Sequence, residues 1–105
     1  MRDQPPPWKV YFLRPVGRRG PIKIGCSRWP EDRLEAYTRW SPTPLEIAAT
    51  IEADQKIERL LHAAFRPFRL HHEWFAWSPE LEALLVSAAA GTFDLATLQP
   101  RRAAA

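Results

Sequence analysis

Two tyrosines, a lysine, an arginine and a glutamate stand in an order that could act on a phosphodiester. Tyr11 follows Val10, and Lys23 and Gly25 lie in Ile22-Lys23-Ile24-Gly25. Arg33 precedes Tyr37 by one helical turn, Glu58 precedes His62 by another, and Glu73-Trp74-Phe75 comes last. Glu58 is the carboxylate best suited to a metal. Magnesium takes oxygen ligands and keeps several waters, so one carboxylate and a substrate phosphate can suffice. A phenol titrates near pH ~10 unless something moves it. A cation such as Lys23 beside Tyr11 would favour the phenolate, making Tyr11 a general base toward water or an orienting group for it. Arg33 could hold the non-bridging phosphate oxygens with two parallel hydrogen bonds. Those bonds would matter most as charge builds in the transition state. Tyr37 could share the base or relay role.

Each residue also has a plainer reading when taken alone. Glu58 and Arg33 could be solvated helix residues, Tyr11 an amphipathic strand tyrosine, and Lys23 an edge lysine that blocks aggregation. His62 reads as a core-edge histidine. Trp74, Phe75 and Trp77 could stack on bases, but so dense an aromatic cluster reads first as core. Cys26, His62, His71 and His72 lack the paired spacing of a structural zinc site.

The elements must bring these groups together. Residues 9–14 and 21–26 read as strands, with Val10 and Phe12 on one face and Ile22 and Ile24 on one face. Pro-Val-Gly-Arg-Arg-Gly supplies the turn of a hairpin between them. Opposed residues in a ladder share a face, so burying those four apolar residues puts Tyr11, Lys23 and Gly25 together on the other side. A helix is expected from about Pro30 to Trp40, with proline first and Glu31 and Asp32 at its positive end. It places Arg33 and Tyr37 on one face. Leu45, Ile47, Ala49 and Ile51 alternate with polar residues, as in a strand with one wet face. Asp54 can cap a helix running to about Arg66, with Ile57, Leu60, Leu61, Ala64 and Phe65 as its apolar stripe. Residues 72–77 read as a strand or extended segment. Ser78-Pro79-Glu80 opens a third helix with Leu81, Leu84 and Leu85 inward and Gly91 past its end. The expected fold is α+β, a small three-stranded antiparallel sheet flanked by about three helices. Residues 1–8 form a loose proline-rich leader, 9–91 a single domain and 92–105 a C-terminal tail.

Composition agrees with one small domain. The chain has 105 residues, of which 46% are hydrophobic, with five Trp and five Phe, enough for a packed core. No apolar run is long enough to cross a membrane. The single cysteine excludes an internal disulfide, and a cytoplasmic setting is expected. Net charge is only +3, but residues 1–44 carry nine Lys/Arg against four Asp/Glu, whereas residues 45–105 carry six against eight. An arginine-rich first half suits phosphate. Arg18, Arg19, Arg28 and Arg39 are further candidates for contact with nucleic acid.

Taken together, these motifs resemble the GIY-YIG nuclease superfamily, in particular its short phage-type branch ending in Glu-Trp-Phe. The resemblance covers roughly residues 9–77. It assigns Tyr11 and Gly25 to the two motifs that name the family, Arg33 to the first helix and Glu58 to the metal. The chain departs from the pattern. Lys9-Val10-Tyr11 lacks the first glycine, Lys23 replaces the second motif's tyrosine, and Tyr37 stands where many members have histidine. No asparagine is present to fill a late position, for which Glu73 or His72 are substitutes. The resemblance implies a divalent-metal-dependent endonuclease that cleaves DNA with Mg2+ or Mn2+. RNA is an alternative substrate, and a homodimer or partner protein would supply specificity. The altered motifs suggest a different outcome, a catalytically impaired DNA-binding or protein-interaction module on the same fold.

Overall fold

A computed structural model of the chain describes residues 4–97. Five strands and three helices follow in the order β1 (Lys9–Pro15), β2 (Ile22–Ser27), α1 (Pro30–Thr38), β3 (Leu45–Glu52), α2 (Gln55–Ala64), β4 (Arg69–His71), β5 (Trp74–Phe75) and α3 (Pro79–Ala89). All strand pairs are antiparallel, in the spatial order β3-β1-β2-β5-β4. The α+β class holds, but the sheet has five strands rather than three. Trp74–Phe75 joins the edge of β2, and Arg69–His71 pairs with it in turn. Two residues, and three that are all exposed, are too few to show an alternation from which strands could be read.

The hairpin register is Val10 opposite Cys26, Tyr11 opposite Gly25 and Phe12 opposite Ile24. Val10, Phe12, Ile22 and Ile24 therefore share one face. They form the main core with Leu61 of α2, Phe65 just past its end, Phe75, and Leu81, Leu84 and Leu85 of α3. The other face carries Tyr11, Leu13 and Lys23, all buried, and α1 packs over it. Neither face of the central strands is open to water.

That two-sided burial corrects the reading of β3. Phe12 pairs with Ala49 but Leu13 pairs with Ile47, so Ala48 is an extra residue in the ladder. Phe12 and Leu13 point to opposite faces, and their partners do too. Leu45 and Ile47 therefore go under α1, while Ala49 and Ile51 face the main core. The four do not form one stripe beside a wet face. Unbroken alternation suits a sheet buried on one side, and a bulge lets one strand serve both layers.

Local signals set the helix ends. Pro30 opens α1 with Glu31 and Asp32 in its first turn, and a turn stapled by Ser41 Oγ and Thr43 follows it. The helix stops at Thr38 rather than Trp40. Asp54 caps α2 by accepting from the Lys56 N–H at 3.0 Å. Pro67 biases the residue before it away from helix, and α2 ends at Ala64, short of Arg66. Leu60 is 49% exposed. The helix packs through Ile57, Leu61 and Ala64 and its cap residue Phe65, and Leu60 falls on the flank of that row. Ser78 Oγ accepts from the Leu81 N–H at 3.1 Å and caps α3, and Gly91 follows the helix with φ 75°, a left-handed turn that favours glycine. Ser78→Ala should lower stability by about 1 kcal/mol, measured by urea denaturation, with no change in the urea slope.

The ends of the domain are tied down further than the leader and tail readings imply. The Trp8 carbonyl accepts from the Ala53 N–H at 3.1 Å, Phe93 packs on the core, and Leu95–Thr97 makes a 3-10 turn. Residues 1–3 and 98–105 of the expected leader and tail lie outside the described residues. Among the described residues no helix is long and apolar enough to cross a membrane.

Candidate active site

The site begins with a glycine. Tyr11 lies opposite Gly25, and its ring lies across the space a side chain there would need. A Cβ on Gly25 would collide with Cζ and Oη of Tyr11. Tyr11 is thus pressed flat on the sheet under α1, close enough to Tyr37 for each phenol to bear on the other. The two phenols form a pair at the centre of this face.

Lys23 lies one register step along the same face and is almost fully buried. Its Nζ donates to Glu73 Oε1 at 2.8 Å and sits 4.3 Å from the centroid of the Tyr37 ring. A buried ammonium needs such a partner, because desolvation otherwise penalises its charge. Glu73 is in place because β5 begins just after it: the Ile24 N–H donates to the Glu73 carbonyl at 3.0 Å, just beyond the Lys23–Trp74 pair.

Past that point β2 has no strand on its outer side, and α2 covers the gap. His62 Nε2 lies 3.0 Å from the Ile24 carbonyl. A carbonyl can only accept, so Nε2 carries the proton. Glu58, one turn earlier, lies 3.9 Å from the same nitrogen, too far for a hydrogen bond. It is close enough to Glu73 for that carboxylate's charge to be felt. Two carboxylates from α2 and the β4–β5 turn therefore meet where the sheet edge opens. Burial pushes the Glu58 carboxyl above its usual value. The Glu73 charge pushes it further, and His62 and Lys23 only partly offset this. Burial and the same carboxylates also raise the Cys26 thiol, which disfavours its thiolate, the form that attacks or binds metal.

Tyr11 departs from expectation. Its pKa is raised, not lowered, first by burial and then by the charges of Tyr37 and Glu73. Arg33 pulls the other way and does not prevail. Lys23 does not activate it, because its ammonium is matched to Glu73. At neutral pH Tyr11 is a protonated phenol, able to hold a water but not to take a proton as phenolate.

Arg33 is exposed on α1, near enough for its charge to be felt at Tyr11. Its side chain makes no hydrogen bond or ion pair among the described residues. The structure thus gathers Tyr11, Lys23, Gly25, Arg33, Tyr37, Glu58, His62 and Glu73 around one end of the central strands. It does not gather the other arginines. Arg39 pairs with Glu35 at 3.5 Å, and Arg28 stacks on Trp8 at 4.9 Å. Arg19 stacks on Trp77 at 4.3 Å. Arg18 and Arg19 line a separate cleft of about 390 Å³ at the hairpin turn, beside Arg14 and Glu82. Among the described residues no group of three or more His, Cys, Asp or Glu is placed to hold a metal ion. The pairing of Glu58 with Glu73 is not legible in the sequence, since it depends on how β5, within the extended segment expected over 72–77, docks on β2.

The family model described as the T5orf172 domain matches residues 9–88. No curated protein and no solved structure matches the chain. The match spans every strand and almost all of α3, and it overturns the GIY-YIG resemblance by assigning the chain to a different family. The chain belongs to the T5orf172 domain family, a family of nuclease-like or DNA-binding domains.

Proposed function

We propose that this chain is a divalent-metal-dependent endonuclease that hydrolyses DNA phosphodiester bonds. The observation that carries this reading is the convergence of an unpaired guanidinium, a phenol pair and a carboxylate pair at one opening of the sheet. Glu58, whose carboxyl is raised by burial and then by the Glu73 charge, forms an all-oxygen donor pair with Glu73, and a hard cation would relieve that repulsion. Glu58 would hold Mg2+ or Mn2+, with Glu73 adjoining and waters or phosphate oxygens filling the shell. A bound ion would supply Lewis-acid stabilisation of the phosphate and of the leaving oxygen.

The remaining roles belong to the chain itself. Arg33 binds the non-bridging oxygens and stabilises their growing charge. Tyr11, as a neutral phenol backed by Tyr37, orients the attacking water. Lys23 is a positioning residue that holds Glu73 in place through its 2.8 Å bond. His62 ties α2 to β2 and so keeps Glu58 at the opening. A domain of this size has room for few specificity contacts, so a second copy or a partner protein would supply them.

Supercoiled plasmid tests the reading. Nicking should require Mg2+ or Mn2+ and stop with EDTA. Arg33→Lys should cut more slowly, by roughly ten- to a hundredfold, because lysine keeps the charge but loses the fork. The protonated state of Tyr11 favours a second reading, a DNA-binding or protein-interaction module. Folded protein that binds DNA with strong salt dependence but never nicks it would decide for that module. RNA in place of plasmid tests the other polymer.

A further inference from the structure

The chain has five tryptophans, and three have partners. Trp77 Nε1 donates to Glu82 at 2.9 Å beneath Arg19. Trp8 lies under Arg28, and Trp74 lies 5.8 Å from the Lys23 ammonium. Trp29 and Trp40 flank α1 and are 51% and 88% exposed. Among the described residues neither indole has a hydrogen-bond, ring or cation partner. At 88% exposed, the Trp40 indole covers almost nothing in its own fold, whereas Trp29 is half covered.

At about 100° per residue, Arg33 and Ala36 fall about 60° apart on one flank of α1, while Trp29 is the residue before the helix and Trp40 follows its αR cap Arg39, with its N–H donating to the Tyr37 carbonyl at 3.1 Å. The inward side of α1 carries Pro30, Leu34 and Tyr37. Glu31, Asp32 and Glu35 fall outside the flank of Arg33 and Ala36, and Arg39 is drawn away from it into its ion pair with Glu35. With the two indoles at its ends, the flank thus offers two flat apolar rings, a small alanine and an unpaired guanidinium, with no carboxylate among them. It adjoins the candidate active site, because Arg33 belongs to both.

We propose that this flank of α1 is a nucleobase platform, on which Trp40 stacks an unpaired base next to a phosphate held by Arg33. The proposal rests on the nuclease reading of the site and names the substrate class: DNA with at least one unstacked base near the scissile bond. Arg33 and Trp40 are about 10 Å apart along the axis. That is roughly three nucleotide steps at about 3.4 Å per step. A base inside a duplex already has both faces stacked, whereas a single strand, flap or loop presents a free face to an aromatic ring. The positive charge on this flank and the missing carboxylates favour a polyanion over a protein surface.

The test is equilibrium binding by fluorescence anisotropy in EDTA, so that no cleavage occurs. A labelled single strand is compared with the same strand fully paired. The wild-type protein should prefer the single strand. Trp40→Ala should weaken single-strand binding by roughly five- to a hundredfold and leave duplex binding within about twofold. Trp40→Phe should recover most of the loss. Equal affinity of the wild type for both ligands, or an equal effect of Trp40→Ala on both, overturns the proposal. A change in sedimentation with Trp40→Ala but none in DNA binding overturns it as well, and marks a protein contact. Nicking is scored separately. Selective binding without nicking would sink the nuclease reading and keep the platform. Metal-dependent nicking with unaltered Trp40→Ala binding would keep the nuclease and sink the platform.

Discussion

Glu58→Gln should abolish nicking and at the same time make the protein harder to unfold. The loss of cleavage should reach about a thousandfold, since metal stabilisation of the transition state is worth several kcal/mol. The gain in stability follows from the direction of the Glu58 shift. Its carboxyl is raised above 4.5 in the folded state, so folding favours the protonated form. That contribution is fully present below the unfolded value and is lost as pH rises through the folded value. At pH 8 the ionised Glu58, facing Glu73, weakens the fold. Glutamine keeps the shape without the charge. Thermal denaturation at pH 8 should show a midpoint several degrees higher for the variant, and the difference should vanish near pH 4. A lower midpoint at pH 8 would contradict the repulsion between the two carboxylates. Undiminished nicking would remove Glu58 from the metal.

Gly25→Ala should be among the most damaging single-methyl additions in the domain. In a strand, alanine is ordinarily no worse than glycine, and the lost backbone freedom would favour it. Here the added Cβ meets the Tyr11 ring, which is 2% exposed and shut in by α1. The ring cannot yield without moving Tyr37, whose own ring faces the Lys23 ammonium. Overpacking of this kind costs about 1–3 kcal/mol, or roughly 5–20 °C in the midpoint for a domain near this size. Nicking should fall with it, because the phenol pair is displaced. In a Tyr11→Ala background the same substitution should cost far less, and the difference measures the coupling. Equal costs in both backgrounds would show that the glycine serves the backbone rather than the ring.

How much of this was legible depended on periodicity. The Val10/Phe12 and Ile22/Ile24 alternation predicted which face holds Tyr11, Lys23 and Gly25. The spacing of Arg33 and Tyr37 placed them on one helix. Asp54, Ser78 and the prolines marked helix starts because each has a local chemistry. What failed was non-local. The Ala48 bulge has no sequence signature, since alternation looks the same whether or not the ladder skips a residue. The edge strands β4 and β5 are too short to have a period, and the Lys23–Glu73 bond depends on them. The direction of the Tyr11 shift was misread because burial on the α1 side was not visible. A strand pattern shows that one face is apolar but not that the other is covered as well. Trp40 was read only as a late residue of a helix, whereas it follows the α1 cap.

The ion pair between Lys23 and Glu73 joins residues fifty positions apart, and this has a consequence for biosynthesis. The basic hairpin and α1 leave the ribosome well before Glu73, so a nascent or truncated chain ending earlier has Arg33 and both phenols but lacks Glu73. Such a chain would also leave Lys23 without its counterion in an unfinished sheet. If the chain cuts DNA as proposed, a cell making it would thereby be spared active fragments, since the carboxylate pair is completed only by the turn before β5, late in the chain.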